Sequence, residues 1–276
     1  ARVRGASFRT WFKRGVVLAL FGGAAALAGI IFFTLVFVYL PLRKTFPRSK
    51  ELKEYRAVVS IPTKVYDRND IEIAEFFDQK REIIPYYEIP QNFVRAIIAL
   101  EDNNFYRHHG IDPFGIGRAM VGNILAGGIR SGGSTITQQL SKLMFTDTRR
   151  NFRRKAQEII YSLQIEKMYN KDQIMEMYCN QIFFGHGAYG VDGAAQIYFG
   201  KRASEMTVAE CALLATLPKS PNNFSPFRNP NVAKERHRIA LRRMADMGFV
   251  PRGEVKRIHA EFWAEYAGRL RNPDLS

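Results

Sequence analysis

The longest unbroken apolar stretch runs from Gly15 to Leu40, GVVLALFGGAAALAGIIFFTLVFVYL, 26 residues without a charge. A helix needs roughly 20 apolar residues to cross a bilayer, so the run predicts one membrane span. A cleaved leader is the competing reading, but its apolar core would be about 7–15 residues, shorter than this one. No later run has that length, so the remainder reads as a water-soluble body held near a membrane. In VVSIPTKVYDRNDIEIAEF, Val58–Phe76, β-branched residues flank Arg68-Asn69-Asp70, the pattern of a short β-hairpin. From Asn92 onward the apolar spacing becomes helical, with Asn92 as a cap for a helix to Leu100 and a second helix over Pro113–Ala126. Gly127–Gly133 reads as a flexible loop. Further helices are predicted over Thr135–Met144, Asn151–Tyr169, Lys171–Cys179, Val208–Leu217 and Asn231–Met247, which makes the body mainly α. In the helix from Asn151, the residues Phe152, Ala156, Ile159, Ile160 and Leu163 form one apolar stripe. That leaves Arg150, Arg153, Arg154, Lys155 and Glu158 towards the polar side.

Charge narrows the partners. The net charge of +15 points to nucleic acid, a membrane surface or a phosphorylated substrate. Basic residues lie on both sides of the apolar run, so the positive-inside rule leaves its orientation open, and the short amino-terminal tail is weakly favoured as the cytoplasmic part. The two cysteines, Cys179 and Cys211, sit in apolar helical patterns and read as buried thiols rather than a disulfide.

Three constellations have chemical potential. Ala96–Gly110, AIIALEDNNFYRHHG, ends an apolar run on Glu101 and Asp102. Partial burial and a helix carboxyl end both raise a carboxylate's proton affinity, which suits a general base; the plainer reading is a solvated helix end. His108 and His109 lack the partners of a metal site and read as structural. Next, GGSTITQQLSK, Gly132–Lys142, opens a helix on free backbone N–H groups, with Thr135 and Gln138 spaced as a capping box. Such a terminus accepts phosphate, and Lys142 adds a cation on roughly the same side; the alternative is an ordinary capped helix. No Gly-Lys-Ser/Thr is present, so it is not a nucleotide-binding P-loop. Last, RRNFRRKAQEIIYSLQIEK, from Arg149, offers cations with a carboxylate, Glu158, four residues beyond Arg154, a spacing that also fits a simple helix pair. Exposed aromatics and a recognisable reading module are missing, which argues against nucleic acid.

Together, a base, an amide-rich helix start and a basic helix are the parts of a sugar-phosphate transferase. EDNNFYRHHG matches the E-D-x-x-F-x-x-H-x-G motif of the peptidoglycan glycosyltransferases, the family 51 domain of bifunctional penicillin-binding proteins and monofunctional transglycosylases. GGSTITQQ matches the family's second motif and RRKAQE carries the R-K-x-x-E third. KDQIMEMYCNQIFFG resembles the fourth, with Met175 where Leu is usual, and LPKSPNNFSP resembles the Pro-rich fifth. The resemblance implies a mainly α, lysozyme-like glycosyltransferase domain with a small membrane-proximal jaw subdomain around Pro113–Arg130. It also implies lipid II and the growing glycan chain as substrates. Glu101 would deprotonate the acceptor 4-hydroxyl, and Glu158 would assist on the pyrophosphate side, directly or through a metal. Ser134, Gln139, Lys142, Arg150 and Lys155 match positions that bind the donor pyrophosphate or its mimic moenomycin, and Arg154 is the Arg of the third motif. Asn180, at the end of the fourth, reads as structural. A divalent cation such as Mg2+ often supports the family, though no ligand cluster here demands one.

The expected organisation is a cytoplasmic tail over 1–14, a transmembrane helix over 15–40, a juxtamembrane linker over 41–59 and a glycosyltransferase domain over 60–250. Residues 251–276 read as a helical segment or the start of a linker to a further domain. By resemblance the protein is a single-pass protein of the bacterial cytoplasmic membrane, its catalytic domain on the outer side, working with cell-wall synthesis proteins and not with nucleic acid. No Ser is followed three residues later by Lys, so the Ser-x-x-Lys signature of a transpeptidase is absent from this sequence. The alternatives are a lysozyme-like hydrolase or lytic transglycosylase, which would leave Lys142, Arg150 and Lys155 unexplained, and a catalytically dead glycan-binding scaffold, which would be expected to lose an acid.

Overall fold

In Thr63–Tyr66 (β1) and Glu72–Phe76 (β2) the predicted hairpin forms: the strands pair antiparallel, Thr63 opposite Phe76, with a bulge where the register shifts after Val65. The computed structural model describes residues 22–23, 25–26, 28–29, 32–33, 36, 40, 63–66, 68, 72–76, 83–128, 132–145 and 152–266. The chain divides into two compact units, Ala1–Ala57 and Val58–Ser276. In the first, residues 22–23, 25–26, 28–29, 32–33 and 40 are helical, while most of the predicted span and all of the predicted linker lie outside the described residues. Among the described residues no helix is long and apolar enough to cross a membrane.

The second unit is built from helices. Gln91–Glu101 (α1) buries Phe93, Val94, Ala96, Ile97, Ile98 and Ala99 against Val208–Leu214 (α7) and Pro230–Asp246 (α9). Pro90, not Asn92, occupies its amino-terminal cap, where a residue without an N–H loses nothing, and Asn92 lies inside the first turn. Ile136–Phe145 (α3) packs on Phe152–Met168 (α4) and Lys171–Gln181 (α5). The α5 start is a full capping box between Asn170 and Gln173. Pro113–Leu125 (α2) leaves Phe114 87% and Leu125 82% exposed, with Met120, Val121 and Ile124 also in solvent. A close approach to it is made at Gly133, where a Cβ would meet the Cα of Ile116 at 3.0 Å.

The α4 stripe differs from expectation. Leu163 is exposed, whereas Glu158, Tyr161, Ser162 and Ile165 are buried. The buried positions recur at i, i+3, i+4 and i+7, so α4 is amphipathic about a face rotated from the one that apolarity alone selects. Polar residues can occupy it because α4 itself supplies partners: the Glu158 carboxylate pairs with Lys155 and Arg154, and Ser162 Oγ donates to the Ile159 carbonyl at 2.7 Å, while Ser141 of α3 donates to the Glu158 carbonyl at 2.9 Å. The helix expected over Val208–Leu217 also ends early, and Leu217–Lys219 forms a 3-10 turn at Pro218, whose ring removes a donor. The small hairpin Phe183–Gly185 (β3) and Ala188–Tyr189 (β4), the helix Val191–Phe199 (α6) and the single turn Pro221–Phe224 (α8) were not legible from apolar spacing. Both cysteines are free and buried, and burial pushes the Cys211 thiol up to about 12.

Val255–Tyr266 (α10) closes the unit. Trp263 and Tyr266 pack with Leu213 and Ala233, flanked by Phe199 and Phe262. Trp263 Nε1 donates to His237 Nδ1 at 3.0 Å and Tyr266 Oη to the Tyr198 carbonyl at 2.9 Å. Burial, aided by the neighbouring His259, depresses His237 from its ordinary value to about 3. A neutral buried histidine is a proton acceptor only when unfolded, so its stabilising contribution is complete above about pH 6.5 and declines as pH falls from there towards 3. Between pH 7.5 and 5.5 the wild type should lose about 1.4 kcal/mol more unfolding free energy than His237→Gln, which keeps an acceptor for Trp263 without titrating. Urea midpoints of the two proteins across that range provide the comparison, and parallel curves would contradict it.

Candidate active site

The end of α1 presents two adjacent carboxylates with different surroundings. Glu101 is half-buried, while Asp102, the cap residue, is buried. A single oxygen of Asp102, Oδ2, accepts from His108 Nε2 at 2.8 Å and from the backbone N–H of Ile136 at 3.0 Å. His108 Nδ1 in turn accepts from the Gly110 N–H at 3.2 Å, which leaves the ring proton on Nε2 for Asp102. Gly110 has φ +93°, and a Cβ there would sit 2.9 Å from the Ser162 carbonyl, so the position admits only glycine. His108 is structural, as the sequence indicated, and His109 is exposed.

The second motif supplies α3. Thr135 and Gln138 form the expected reciprocal cap: the Thr135 N–H donates to Gln138 Oε1 at 3.0 Å and the Gln138 N–H to Thr135 Oγ1 at 3.1 Å. Thr135 Oγ1 also donates to the Gly110 carbonyl at 2.7 Å, joining α3 to the loop after Glu101. One turn into α3, Gln139 Nε2 donates to Glu101 Oε2 at 2.8 Å. The amide is oriented by Tyr178 of α5, whose hydroxyl donates to Gln139 Oε1 at 3.1 Å. Burial raises the Tyr178 phenol well above its ordinary value, and the charge of Glu101 adds to this, so it stays a donor. Lys142 follows Gln139 by three residues, on the same side of α3, and is exposed.

The third motif supplies a cation pair around a buried carboxylate. Glu158 is 4% exposed. Lys155 Nζ lies 3.0 Å from its Oε2 and also donates to Ser134 Oγ at 3.0 Å. Arg154 Nε stands 3.1 Å from the other oxygen, as an ion pair without hydrogen-bond alignment. A divalent cation at Glu158 would meet two positive charges already in place, so this carboxylate does not fit a metal; among the described residues no group of three or more His, Cys, Asp and Glu is arranged to hold one. Arg150 lies outside the described residues. Of the sequence candidates, the structure joins Glu101 with Gln139, and Ser134 with Lys155, Glu158 and Arg154. Ser134 and Gln139 belong to one continuous segment, so the two groups share its backbone.

Several contributors were not singled out from the sequence. Tyr178 is the Tyr of the fourth motif, and its motif position was the available signal. Asp102 and His108 were visible, but their pairing depends on a turn that spacing does not specify. Arg243 of α9 donates from Nη1 to the Leu100 carbonyl at 3.1 Å, capping the end of α1 beside Glu101, and no local pattern announces it. Asn180 is structural as expected: its amide exchanges two hydrogen bonds with the backbone of Ile84, at 3.1 and 2.8 Å.

Residues 69–245 match the protein family described as Transglycosylase. The chain is 42% identical over 204 residues to penicillin-binding protein 1F of Bacillus subtilis (strain 168), covering 74% of this chain and 29% of that protein. Identity to penicillin-binding protein 1A is 41% over 236 residues in Aquifex aeolicus (86% and 31%) and 35% over 254 residues in Escherichia coli K12 (92% and 29%). The chain thus spans less than a third of the length of these relatives. Glu101 and Gln139, Ser134 and Lys155 all fall within the matched residues, and the chain belongs to the transglycosylase family, whose domain is a glycosyltransferase.

Proposed function

We propose that the chain polymerises lipid II into β-1,4-linked glycan, with inversion at the anomeric carbon and release of undecaprenyl pyrophosphate. Glu101 takes the proton of the acceptor 4-hydroxyl as its oxygen attacks the anomeric carbon of the donor sugar. The bond from that carbon to the pyrophosphate oxygen breaks, and the electron pair leaves with the phosphate. Lys155 and Arg154, with Lys142 and Arg150, stabilise the charge that develops on this leaving group. Glu158 is the organiser of Lys155 and Arg154: its two oxygens lie against the two cations, fixing them before substrate arrives. No metal is required for these roles.

The observation that carries the reading is the span of the second motif: Gln139 reaches the candidate base while Ser134, five residues earlier, reaches the cation Lys155. A base and an anion-stabilising group on one rigid helix start can act on two ends of one reaction. The apolar face of α2, with Phe114, Ile124 and Leu125 in solvent, supports a jaw that rests on a bilayer. A prenyl-anchored substrate is confined to that bilayer, so a single-pass anchor over 15–40 with the domain on the outer face raises its effective concentration. A lysozyme-like arrangement of the helices and cell-wall synthesis proteins as partners belong to the same proposal.

Purified protein given lipid II should make glycan polymer, with moenomycin blocking it. Glu101→Gln keeps an acceptor for Gln139 but no base, and should lower the rate at least about 100-fold with little change in unfolding midpoint. Disaccharide release from finished cell wall, without polymer from lipid II, would replace this reading by the hydrolase.

Lys155→Met should lower kcat/KM for lipid II about 10-fold at low salt in protein that remains folded, because one charge-assisted contact to the leaving group is lost. The deficit should shrink as ionic strength rises, because screening weakens the wild-type contact. A folded variant with the kcat/KM and salt dependence of the wild type would remove Lys155 from the pyrophosphate site.

A further inference from the structure

Lys171 opens the fourth motif at the first position of α5, yet its ammonium reaches back 63 residues in sequence to donate to the main-chain oxygen of His108 at 2.8 Å. It pairs with Glu166 Oε1 at 2.6 Å, and its Nζ stands 4.6 Å from the centre of the Phe105 ring. The same Glu166 oxygen accepts from Thr137 Oγ1, in the first turn of α3, at 2.7 Å. The pair is largely withdrawn from water, with side chains 19% and 5% exposed for Lys171 and Glu166. A pair of this kind recovers its desolvation cost only when further hydrogen bonds complete it, so its net stabilisation is small against a well-packed apolar replacement. What it supplies is geometry. One ammonium and one carboxylate connect three parts of the chain: the loop that leaves Glu101, the start of α3 and the α4–α5 junction.

We propose that Lys171 is a positioning residue for the transfer reaction: with Glu166 it holds the Phe105–His108 loop in register with α3, so that Glu101 stays against Gln139. The inference rests on the role proposed for Glu101. Lys171 has no part in binding substrate or moving protons. Its effect passes through Asp102, which Ile136 and His108 hold from either side, and through the Gln139–Glu101 contact. A misplacement on the order of 1 Å can reduce a rate about 100-fold, so loss of this bracket should appear in kcat.

Lys171→Met is the direct variant. Because it strands a buried carboxylate, Lys171→Met/Glu166→Met is made with it and leaves no lone charge. Lys171→Arg keeps the cation. In folded protein of either Met variant, kcat for lipid II should fall about 100-fold while KM stays within about threefold, and Lys171→Arg should recover most of the loss. Amide exchange gives a readout independent of activity: residues 103–110 and the first turn of α3 should exchange at least about 10-fold faster in the double Met variant. Exchange that changes only around residues 166–175, or a folded double variant with wild-type kcat, would overturn the positioning role. A wild-type protein that makes no polymer would instead refute the proposed function, and the exchange comparison would then decide the bracket by itself.

Discussion

A carboxylate taken out of water needs donors for its lone pairs, or the fold loses several kcal/mol. Asp102 finds two donors for one oxygen, the His108 ring six residues on in the same loop and the Ile136 N–H 34 residues away. The Ile136 N–H is among the groups at a helix start that have no partner within the helix. One bond therefore solves two problems, a buried helix-start N–H without an intrahelical partner and a buried charge, and in doing so fixes where α1 ends relative to where α3 begins. Glu101, the preceding residue, is delivered beside α3 by this constraint. Gln139, one turn along, meets it there with its amide already turned by Tyr178.

Glu158 is a second buried carboxylate with a different solution. Its partners are cations rather than backbone donors, and Lys155 remains 45% exposed, with its ammonium also on Ser134. The ion pairs of α9 and α10, such as Glu235 with Arg238, lie in solvent, where water and salt screen them and they add little to stability. Around Glu158 the carboxylate itself is nearly out of water, so removal of one of its partners costs more than at a solvated pair. The two kinds of ion pair look alike in sequence, at i,i+3 and i,i+4 spacing, and differ only in burial.

That difference marks the boundary of what could be read from the chain. Local chemistry was legible: the Thr135–Gln138 cap, the pairing of β1 with β2 and, to within one residue, the end of α1 depend on neighbours close in sequence. The motifs pointed to Glu101, Ser134, Gln139, Lys155 and Glu158, all of which take part in the contacts described. What failed depended on packing. Leu163 reads as core by apolarity, but the face of α4 that turns inward carries Glu158 and Ser162, whose partners Lys155, Arg154 and the Ile159 carbonyl lie on α4 itself. Arg243 and Lys171 act across 143 and 63 residues, and no periodicity encodes such a reach.

The exposed helix α2 belongs to the same frame. Its start is capped by Asp112, which accepts from the Gly115 N–H at 2.9 Å and from Asn104 Nδ2 at 2.8 Å. Burial opposes ionisation of Asp112, but these bonds outweigh it and hold the carboxyl below the usual carboxylate range. Asn104 lies between Asp102 and His108, in the loop that leaves Glu101. The orientation of α2 is thus referenced at its amino end to the candidate base rather than to the apolar core. The Asn104–Asp112 bond therefore ties the start of α2, whose Phe114, Ile124 and Leu125 are exposed, to the loop that leaves Glu101. A helix packed firmly on the core would fix its own apolar side chains as interior; a helix anchored by a polar cap beside the base keeps them outward and keeps the two features in fixed relation.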